Sequence, residues 1–337
     1  MNSHTISPAH VRLPIRTAAV LPDGYTVRPA EPRDAESLFG LLSAYNTAVV
    51  GFADCTLEAV ADSLVEPGID HVTDSWLVLT GDGVLAGYAS AFGKGDLQVI
   101  GIEVTSQDPS VAAWLFDRAM CRAREMGRDR GHPEITVDLW SYRADESLAA
   151  LLADNDITAC TTYHRMRLDH TGPVAAPNPP AGVVVRRGAH DDATRWAAHE
   201  VIIDSFRGQF GFVPRPHDEW VEALEASSMF AWSQLILLEI DGRAVAVRTC
   251  FDDFIESDNC GYVGMLGVVE EFRGRGLAKF LLQDSFAADA AAGRTGTILN
   301  VDTNNPTPAL GLYTSVGMTP TLVLNGWRRV VPTEPAS

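Results

Sequence analysis

Apolar runs of strand length recur along this chain, separated by turns and by longer mixed runs typical of helices. One pair of runs, 76–80 and 84–92, is split by Gly81-Asp82-Gly83, and a second pair, 235–240 and 244–251, by Asp241-Gly242-Arg243. Asp-Gly between β-rich segments is a strong hairpin signal. Each predicted hairpin is followed by a strand, a helix, a strand and a short helix. These segments are 97–104, 110–126, 135–140 and 146–154 in the first half, and 261–269, 277–292, 297–301 and 307–315 in the second.

Both halves also begin alike. Val27-Arg28 precedes Asp34-Ala35 at the same spacing as Val185-Arg186 precedes Asp192-Ala193. In each case a short strand leads to an Asp near a helix start, where an acceptor is favoured. Strands with interspersed helices predict an α+β fold, in which a mixed sheet is flanked by helices.

The boundaries of the two halves follow from a proline-rich segment. Residues 169–182 contain four prolines and little apolar surface to bury, which is typical of a linker. We therefore predict a loose N-terminal arm at 1–22, a first domain at 23–168, the linker at 169–182 and a second domain at 183–337.

The composition of the chain argues against several kinds of binding partner and cofactor. The chain has 337 residues, enough for two domains, and a net charge of −18, which would repel nucleic acid. The five cysteines are an odd number without a C-x-x-C pair, which favours reduced thiols over disulfides or a zinc site. No run is long and apolar enough for a membrane span, and the N-terminus lacks the apolar core of a signal peptide. We expect a cytoplasmic protein that binds neither nucleic acid nor membrane.

The segment Arg273-Gly274-Arg275-Gly276-Leu277-Ala278 joins a predicted buried strand to a predicted helix. A glycine turn at a helix start presents several free backbone N–H groups, with the positive end of the helix dipole behind them. Such a turn is suited to a phosphate or pyrophosphate. The segment matches neither G-x-x-x-x-G-K-[ST] nor G-x-G-x-x-G. An ordinary glycine-containing loop with solvated arginines is the alternative.

Two pieces of the second half together resemble a known family. The segment reads R-x-x-G-x-A, and the stretch from Asn305 to Met318 reads NPTPALGLYTSVGM. They resemble the acyl-CoA loop and the N-P-T-x-A-L-x-L-Y-x-x-x-G-F segment of the GNAT N-acetyltransferase superfamily, with Met318 in place of Phe. The resemblance covers 183–330, and covers 25–168 only in layout. The duplication suggests a tandem GNAT protein, similar in layout to the mycothiol synthases.

The resemblance implies two GNAT-like domains, each a mixed, mostly antiparallel sheet whose fourth and fifth strands splay apart to hold the pantetheine of acetyl-CoA. No metal is expected. A backbone N–H near Leu266 would polarise the thioester carbonyl, a role for which a fixed donor suits an oxyanion. Asn305 would touch the cofactor or, alternatively, cap a helix before Pro306. The implied cofactor-binding residues are Leu266, Gly267, Val268, Arg273, Gly274, Arg275, Gly276, Leu277, Ala278, Asn305 and Tyr313.

Tyr313 is the predicted general acid. CoA leaves as a thiolate, and a hydroxyl held near sulfur can donate its proton as charge builds on the leaving group. A half-buried tyrosine that only fills the core is the alternative reading. No residue is singled out as the base. The candidates are Asp302, the acidic run Asp252, Asp253, Glu256 and Asp258, and the histidines His199 and His217. A solvated loop is the favoured explanation of the acidic run, and a turn or cap acceptor is the alternative for Asp302.

The first half lacks these pieces. Its corresponding loop, 105–110, has no glycine and carries Asp108, and Leu152 stands where Tyr313 stands in the second half. An acidic residue there would repel a phosphate. We interpret the first half as a degenerate copy that supports the second or shapes its substrate cleft.

The predicted activity is transfer of an acyl group, expected to be acetyl, from acyl-CoA to a small-molecule amine. Because no nucleophile–base–acid arrangement is apparent, direct attack in a ternary complex is expected. The segment 201–224, rich in Phe and Gly between 206 and 214, would hold the amine or would pack in the core. A non-catalytic acyl-CoA-binding or sensor protein is the alternative function. Neither the acceptor amine nor the oligomeric state is predicted.

Overall fold

Residues 19–304 and 309–334 are described by the computed structural model, and in them strands and helices follow one another in an order that repeats. The strands are β1 Thr26–Arg28, β2 Ser75–Leu79, β3 Leu85–Lys94, β4 Val99–Thr105, β5 Glu134–Tyr142, β6 Thr158–Asp169, β7 Val183–Arg187, β8 Leu235–Ile240, β9 Arg243–Phe251, β10 Cys260–Val268, β11 Gly296–Asp302 and β12 Thr319–Pro332. The helices are α1 Ala35–Val50, α2 Leu57–Ser63, α3 His71–Asp74, α4 Pro109–Asp129, α5 Glu146–Asp154, α6 Asp192–Phe206, α7 His217–Ala226, α8 Ile255–Asp258, α9 Leu277–Ala291 and α10 Ala309–Ser315.

Both predicted hairpins are present, as β2–β3 and β8–β9, and both pairs are antiparallel. The predicted strand–helix–strand–helix series follows each hairpin, with ends that differ from the prediction by only a few residues. Residues 307 and 308 of the last predicted helix lie outside the described residues, as do residues 1–18 of the predicted arm.

The strands form one mixed, mostly antiparallel sheet in the order β1-β2-β3-β4-β5-β12-β6-β11-β10-β9-β8-β7. This order has a pseudo-twofold symmetry about the centre, between β12 and β6. The last strand of the first half, β6, lies between β11 and β12 of the second half. The last strand of the second half, β12, pairs with β5 of the first. The two halves therefore exchange their final strands, a feature that the sequence analysis did not predict.

The fourth and fifth strands of each half splay apart. β4 and β5 are paired in parallel only at Val99–Gly101 with Thr136–Asp138. β10 and β11 are paired only at Cys260–Val263 with Gly296–Leu299, so the rest of β10 has a free edge towards β11. A bulge between Val263 and Met265 also interrupts the pairing of β10 with β9. Bulges bend a strand and re-aim its groups, and they are common beside active sites.

Helix α9 lies over the second half of the sheet through an apolar face. Leu277, Phe280 and Leu281 are buried against side chains of β8 and β9 that include Leu238 and Val245. Ion pairs also connect this helix to the sheet. Asp284, buried in α9, accepts hydrogen bonds from Arg248 of β9 at 3.1 Å and from Arg187 of β7 at 2.6 Å. Because α9 begins at the glycine segment, these contacts fix the position of that segment.

We expect Asp284→Asn to destabilise the protein by about 3 kcal/mol, because it leaves the buried guanidinium of Arg248 without its carboxylate. For a chain of 337 residues, that loss corresponds to a fall in Tm of about 4 °C, from an unfolding entropy of about 2.1 cal/mol/K per residue. The control is Glu239→Gln, which breaks an ion pair with the exposed Arg186 and should cost less than about 1 kcal/mol. Thermal unfolding of both variants tests the expectation, and equal shifts would contradict it.

All five cysteines lie in the described part of the chain, and none is disulfide-bonded. Among the described helices, none combines the length and the apolar character that crossing a membrane requires. No three His, Cys, Asp or Glu side chains of residues 19–304 and 309–334 are grouped as metal ligands would be.

Candidate active site

A cavity of about 660 Å³ opens where β10 and β11 part. One wall is formed by β10, the start of α9 and the end of α6. The other wall is formed by β11, β6, β12 and β5, so residues of both halves enclose the space. Leu266, Gly267 and Val268 line it from β10, as the resemblance predicts for the strand that would hold pantetheine. Their backbone groups on the side of the splay have no β11 partner.

Two glycines of β10 allow this part of the sheet to pack closely. A Cβ on Gly267 would lie 2.8 Å from Cβ of Ser205 in α6, and one on Gly264 would lie 2.6 Å from the ring of Phe251. Only glycine fits at such distances. The end of α6 therefore lies directly on the strand that lines the cavity, and it carries Ser205 and Phe206 to the cavity surface.

The glycine segment closes one end of the cavity with an uncapped helix. Gly274 and Gly276 have φ of 78° and 79°, and a Cβ on either would meet no described atom within 4 Å. Gly276 is the N-cap of α9, where no side chain of the described residues accepts from the first turn. Gly276, Leu277 and Ala278 line the cavity. The free N–H groups of that turn and the positive end of the helix dipole thus face the open space.

Two cations stand beside this helix start. Arg273 and Lys279 line the cavity, and Arg273 Nε donates to the carbonyl oxygen of Val268 at 3.2 Å. Arg275 is not among the lining residues, and its guanidinium lies 4.7 Å from the ring centroid of Phe272. The arrangement is a positively charged pocket end in a protein of net charge −18. Asn305, the remaining predicted cofactor contact, lies outside the described residues.

In the first half, the N-terminus of the equivalent helix, α4, is capped by the side chain of Asp108. Asp108 Oδ1 accepts from the N–H of Ser110 at 2.8 Å and of Val111 at 3.3 Å, at the start of α4. These backbone N–H groups, chiefly that of Ser110, hold the pKa of Asp108 below its usual range. A carboxylate therefore already fills the place where a phosphate would bind. The start of α4 therefore has fewer free N–H groups for an anion than the start of α9 has.

Tyr313 of α10 lines the cavity and is buried in the apolar cluster that contains Leu299 and Val301. Burial raises the pKa of its phenol to about 12. The hydroxyl is thus protonated at neutral pH and able to act as a proton donor. Leu152, its counterpart in the first half, is fully buried in the core.

Of the candidate bases, Asp302 lines the cavity. It is buried at the end of β11, and its Oδ1 accepts from Thr161 Oγ1 of β6 and from the N–H of Asn304 at 2.9 Å. These two donors fix the orientation of the carboxylate. Asp302 is the only carboxylate among the described residues that line the cavity, so the cavity has a positive end at α9 and a negative group at β11.

The other candidate bases lie away from the cavity. Two residues of the acidic run are paired with neighbours, Asp252 with Gln234 and Arg294, and Asp258 with Arg167. A third, Glu256, lies beside Glu58, whose hydrogen bond and charge raise the pKa of Glu256. Burial raises the pKa of the fourth, Asp253. His199 Nδ1 lies 3.3 Å from His217 Nδ1, between α6 and α7. Burial and the neighbouring His217 lower the pKa of His199 to about 4.

The segment 201–224 reaches the cavity through Ser205, Phe206, Gln209, Phe210 and Phe212. The sequence analysis missed the residues that face them from the other wall. These are Trp140 of β5, Tyr163 of β6, Leu324 of β12 and Asn300 of β11, and Tyr262 of β10 was missed as well. Trp140 and Tyr163 belong to the first half and reach the site because β6 and β12 are exchanged. No local pattern in the sequence signals that exchange.

Comparisons with known proteins match part of the sequence and the overall fold. The model of the acetyltransferase (GNAT) family matches residues 197–318. No curated protein sequence matches the chain. A GCN5-related N-acetyltransferase from Sphaerobacter thermophilus has a similar structure, with a TM-score of 0.74 at 22% identity over 94% of this chain and 98% of that one.

Two further solved structures are similar over most of their length. A tandem GNAT protein from the clavulanic acid biosynthesis pathway matches with a TM-score of 0.68 and 15% identity, over 93% of this chain and all of that one (100%). Saccharomyces cerevisiae N-myristoyltransferase with bound myristoyl-CoA matches with a TM-score of 0.61 and 12% identity, over 93% and 79% of the chains.

Residues 197–318 thus match the acetyltransferase (GNAT) family model, and this range includes most of the residues that line the cavity. The whole chain has the fold of a tandem GNAT protein, in which each half contributes five strands and exchanges its sixth. The mycothiol synthase layout stays a prediction.

Proposed function

We propose that this protein transfers an acetyl group from acetyl-CoA to a small-molecule amine, with catalysis in the second half. The observation that carries the proposal is the uncapped start of α9, which opens into the same cavity as Tyr313 and the free edge of β10. A pyrophosphate would accept from the first-turn N–H groups and from Arg273 and Lys279. The pantetheine amides would pair with the free backbone groups of β10 from 266 to 268.

The reaction would proceed by direct attack of the amine on the thioester. The nitrogen forms a bond to the acyl carbon while the carbonyl oxygen gains charge, and the N–H of Leu266 would stabilise that oxyanion. The C–S bond then breaks with its electron pair going to sulfur, and Tyr313 gives sulfur its proton. The protons of the nitrogen would pass to the carboxylate of Asp302 and on to solvent. One proton returns to Tyr313, so the products are the amide, CoA and one proton released per aminium consumed.

Calorimetry with acetyl-CoA, followed by a thiol-release assay with a panel of amines, tests the proposal. We expect binding at one site per chain, because only α9 offers an unfilled helix start of the two equivalent helices, α4 and α9. We also expect amine-dependent release of CoA and formation of the acetylated amine by mass spectrometry. Binding without release by any amine would favour a non-catalytic acyl-CoA-binding protein. Absence of binding would contradict both functions.

A further inference from the structure

Three aromatic rings meet edge to face at the surface of the cavity, Trp140 of β5 and Tyr163 of β6 from one wall and Phe210 from the loop after α6. The ring centroid of Trp140 lies 4.6 Å from that of Tyr163, at an interplanar angle of 82°, and 5.1 Å from that of Phe210, at 87°. Trp140 is still 37% exposed, although it is surrounded by these neighbours. We call Trp140, Tyr163 and Phe210 the aromatic wall. An indole left open to a cavity in this way offers an apolar surface to a ligand.

The aromatic wall is held in place by contacts from both halves. Tyr163 Oη donates to the carbonyl oxygen of Phe210 at 3.2 Å, and the guanidinium of Arg328 lies 4.4 Å from the Phe210 ring centroid. Gly326 leaves the room that the rings need, because its Cβ would lie 2.8 Å from Phe210 and 3.0 Å from Trp140. The wall is thus a fixed surface rather than a chance contact of loop side chains.

The loop that carries Phe210 also rests on the first half. Lys94 Nζ donates to the carbonyl oxygen of Gly211 at 3.3 Å, and the ring of Trp140 lies 3.7 Å from the place of a Cβ on Gly211. Val213 packs so closely on Gly95 that a Cβ there would lie 2.7 Å from its methyl group. The first half therefore forms and supports one side of the site.

Asp302 stands next to the aromatic wall. In the pairing of β11 with β6, Asp302 is directly opposite Tyr163, so the two side chains share a face of the sheet. A carboxylate offers about four acceptor positions, of which Thr161 and Asn304 fill two among the described residues. An aminium placed there gains a charge-assisted hydrogen bond to a buried carboxylate.

We propose that the acceptor is a primary amine on a short arm from a flat apolar body, as in an arylalkylamine. Its aminium binds Asp302 and its body packs on Trp140 and Phe210. This inference rests on the proposed function, since it names the acceptor class of the same site. A carboxylate beside the amino group, as in an amino acid, would be repelled by Asp302. A purely aliphatic amine would leave the aromatic wall uncovered.

Calorimetry of the CoA-loaded protein with three probes tests the inference without requiring turnover. We expect 2-phenylethylamine to bind about tenfold more tightly than butylamine, because it adds aromatic contact with the wall. We expect phenylalanine to bind at least about tenfold more weakly than 2-phenylethylamine, because its carboxylate meets Asp302. Equal binding of the two amines, tighter binding of phenylalanine, or no heat from any probe at millimolar concentration would overturn the inference.

Two variants distinguish the contact of the aminium with Asp302 from the contact of the apolar body with Trp140. Each variant must keep the parent affinity for acetyl-CoA, which shows that it is folded. Asp302→Asn should weaken both amines by about 30-fold, because each loses the same charged hydrogen bond. Trp140→Leu should weaken 2-phenylethylamine by about tenfold and leave butylamine unchanged. Trp196→Leu, which alters an exposed indole outside the cavity, is the control and should change neither. The reverse pattern, or no effect of Trp140→Leu, would contradict the assignment.

Thiol release with the same amines keeps this inference distinct from the proposed function. Selective binding of 2-phenylethylamine without release of CoA would support the assigned ligand class while contradicting acetyl transfer. Release of CoA with amines that lack a flat apolar body, in preference to 2-phenylethylamine, would support acetyl transfer while contradicting the ligand class.

Discussion

Gly276→Glu is expected to weaken acetyl-CoA binding at least about 100-fold, which corresponds to about 3 kcal/mol. The change would place a carboxylate at the start of α9, where the backbone N–H groups are free and the Cβ points into open space. The new side chain would itself accept from the first turn, as Asp108 does in α4, and would repel the pyrophosphate. Calorimetric titration with acetyl-CoA measures the loss.

The matched control lies in the turn that follows the same helix. Gly293 has φ of 75° and also leaves its Cβ in open space, so Gly293→Glu introduces the same backbone strain and the same charge. Its effect on acetyl-CoA affinity should stay below about threefold, since its charge is screened at that distance. Gly276→Ala, which adds strain without charge, should fall between the two. If Gly276→Glu retained the parent affinity, CoA would have to bind elsewhere on the protein.

Tyr313→Phe is expected to lower kcat about 100-fold with less than about a twofold change in acetyl-CoA affinity, since a general acid contributes 10²–10⁴-fold. The hydroxyl is removed and the buried ring stays, so packing in the cluster around Leu299 is preserved. The phenol has a pKa of about 12, which predicts that Tyr313 is the protonated acid at all pH values well below 12. The parent should therefore show no loss of acid function between pH 6 and 9.

Steady-state kinetics of CoA release, together with calorimetry, test this expectation. Tyr88→Phe is the control, because Tyr88 is a buried tyrosine in the core of the first half, away from the cavity. It should leave kcat unchanged. Unchanged kcat in Tyr313→Phe would remove the acid role and leave Tyr313 as a packing residue.

The sequence analysis singled out residues of the second half by features that depend on their near neighbours in the chain. A glycine pair at a strand–helix junction, a helix without a capping side chain and a tyrosine in a short helix are all set by neighbouring residues. The structure brings Leu266, Gly276 and Tyr313 to one cavity. Their roles in binding and catalysis stay predictions that the variants above would test.

The residues proposed to hold the acceptor amine were harder to predict from the sequence. Its content of Phe and Gly marks the segment from Phe206 to Phe212, but nothing in the sequence connects Trp140 and Tyr163 with that segment. Asp302 was one of several possible bases until the cavity separated it from the acidic run before β10. Both the neighbours of this segment and the position of Asp302 in the cavity depend on contacts between residues far apart in the sequence.

Hydrophobic period, turn residues and caps act over a few neighbouring positions, so the strands and helices, their duplication and the glycine turn could be predicted from the sequence alone. Which strands lie side by side is known from the three-dimensional structure and not from the sequence. A strand in which apolar and polar residues alternate has the same sequence pattern whether it pairs with a strand of its own half or with one of the other half. The exchange of β6 and β12 rests on that long-range choice, and it is what brings the first half's Trp140 and Tyr163 to the cavity of the second.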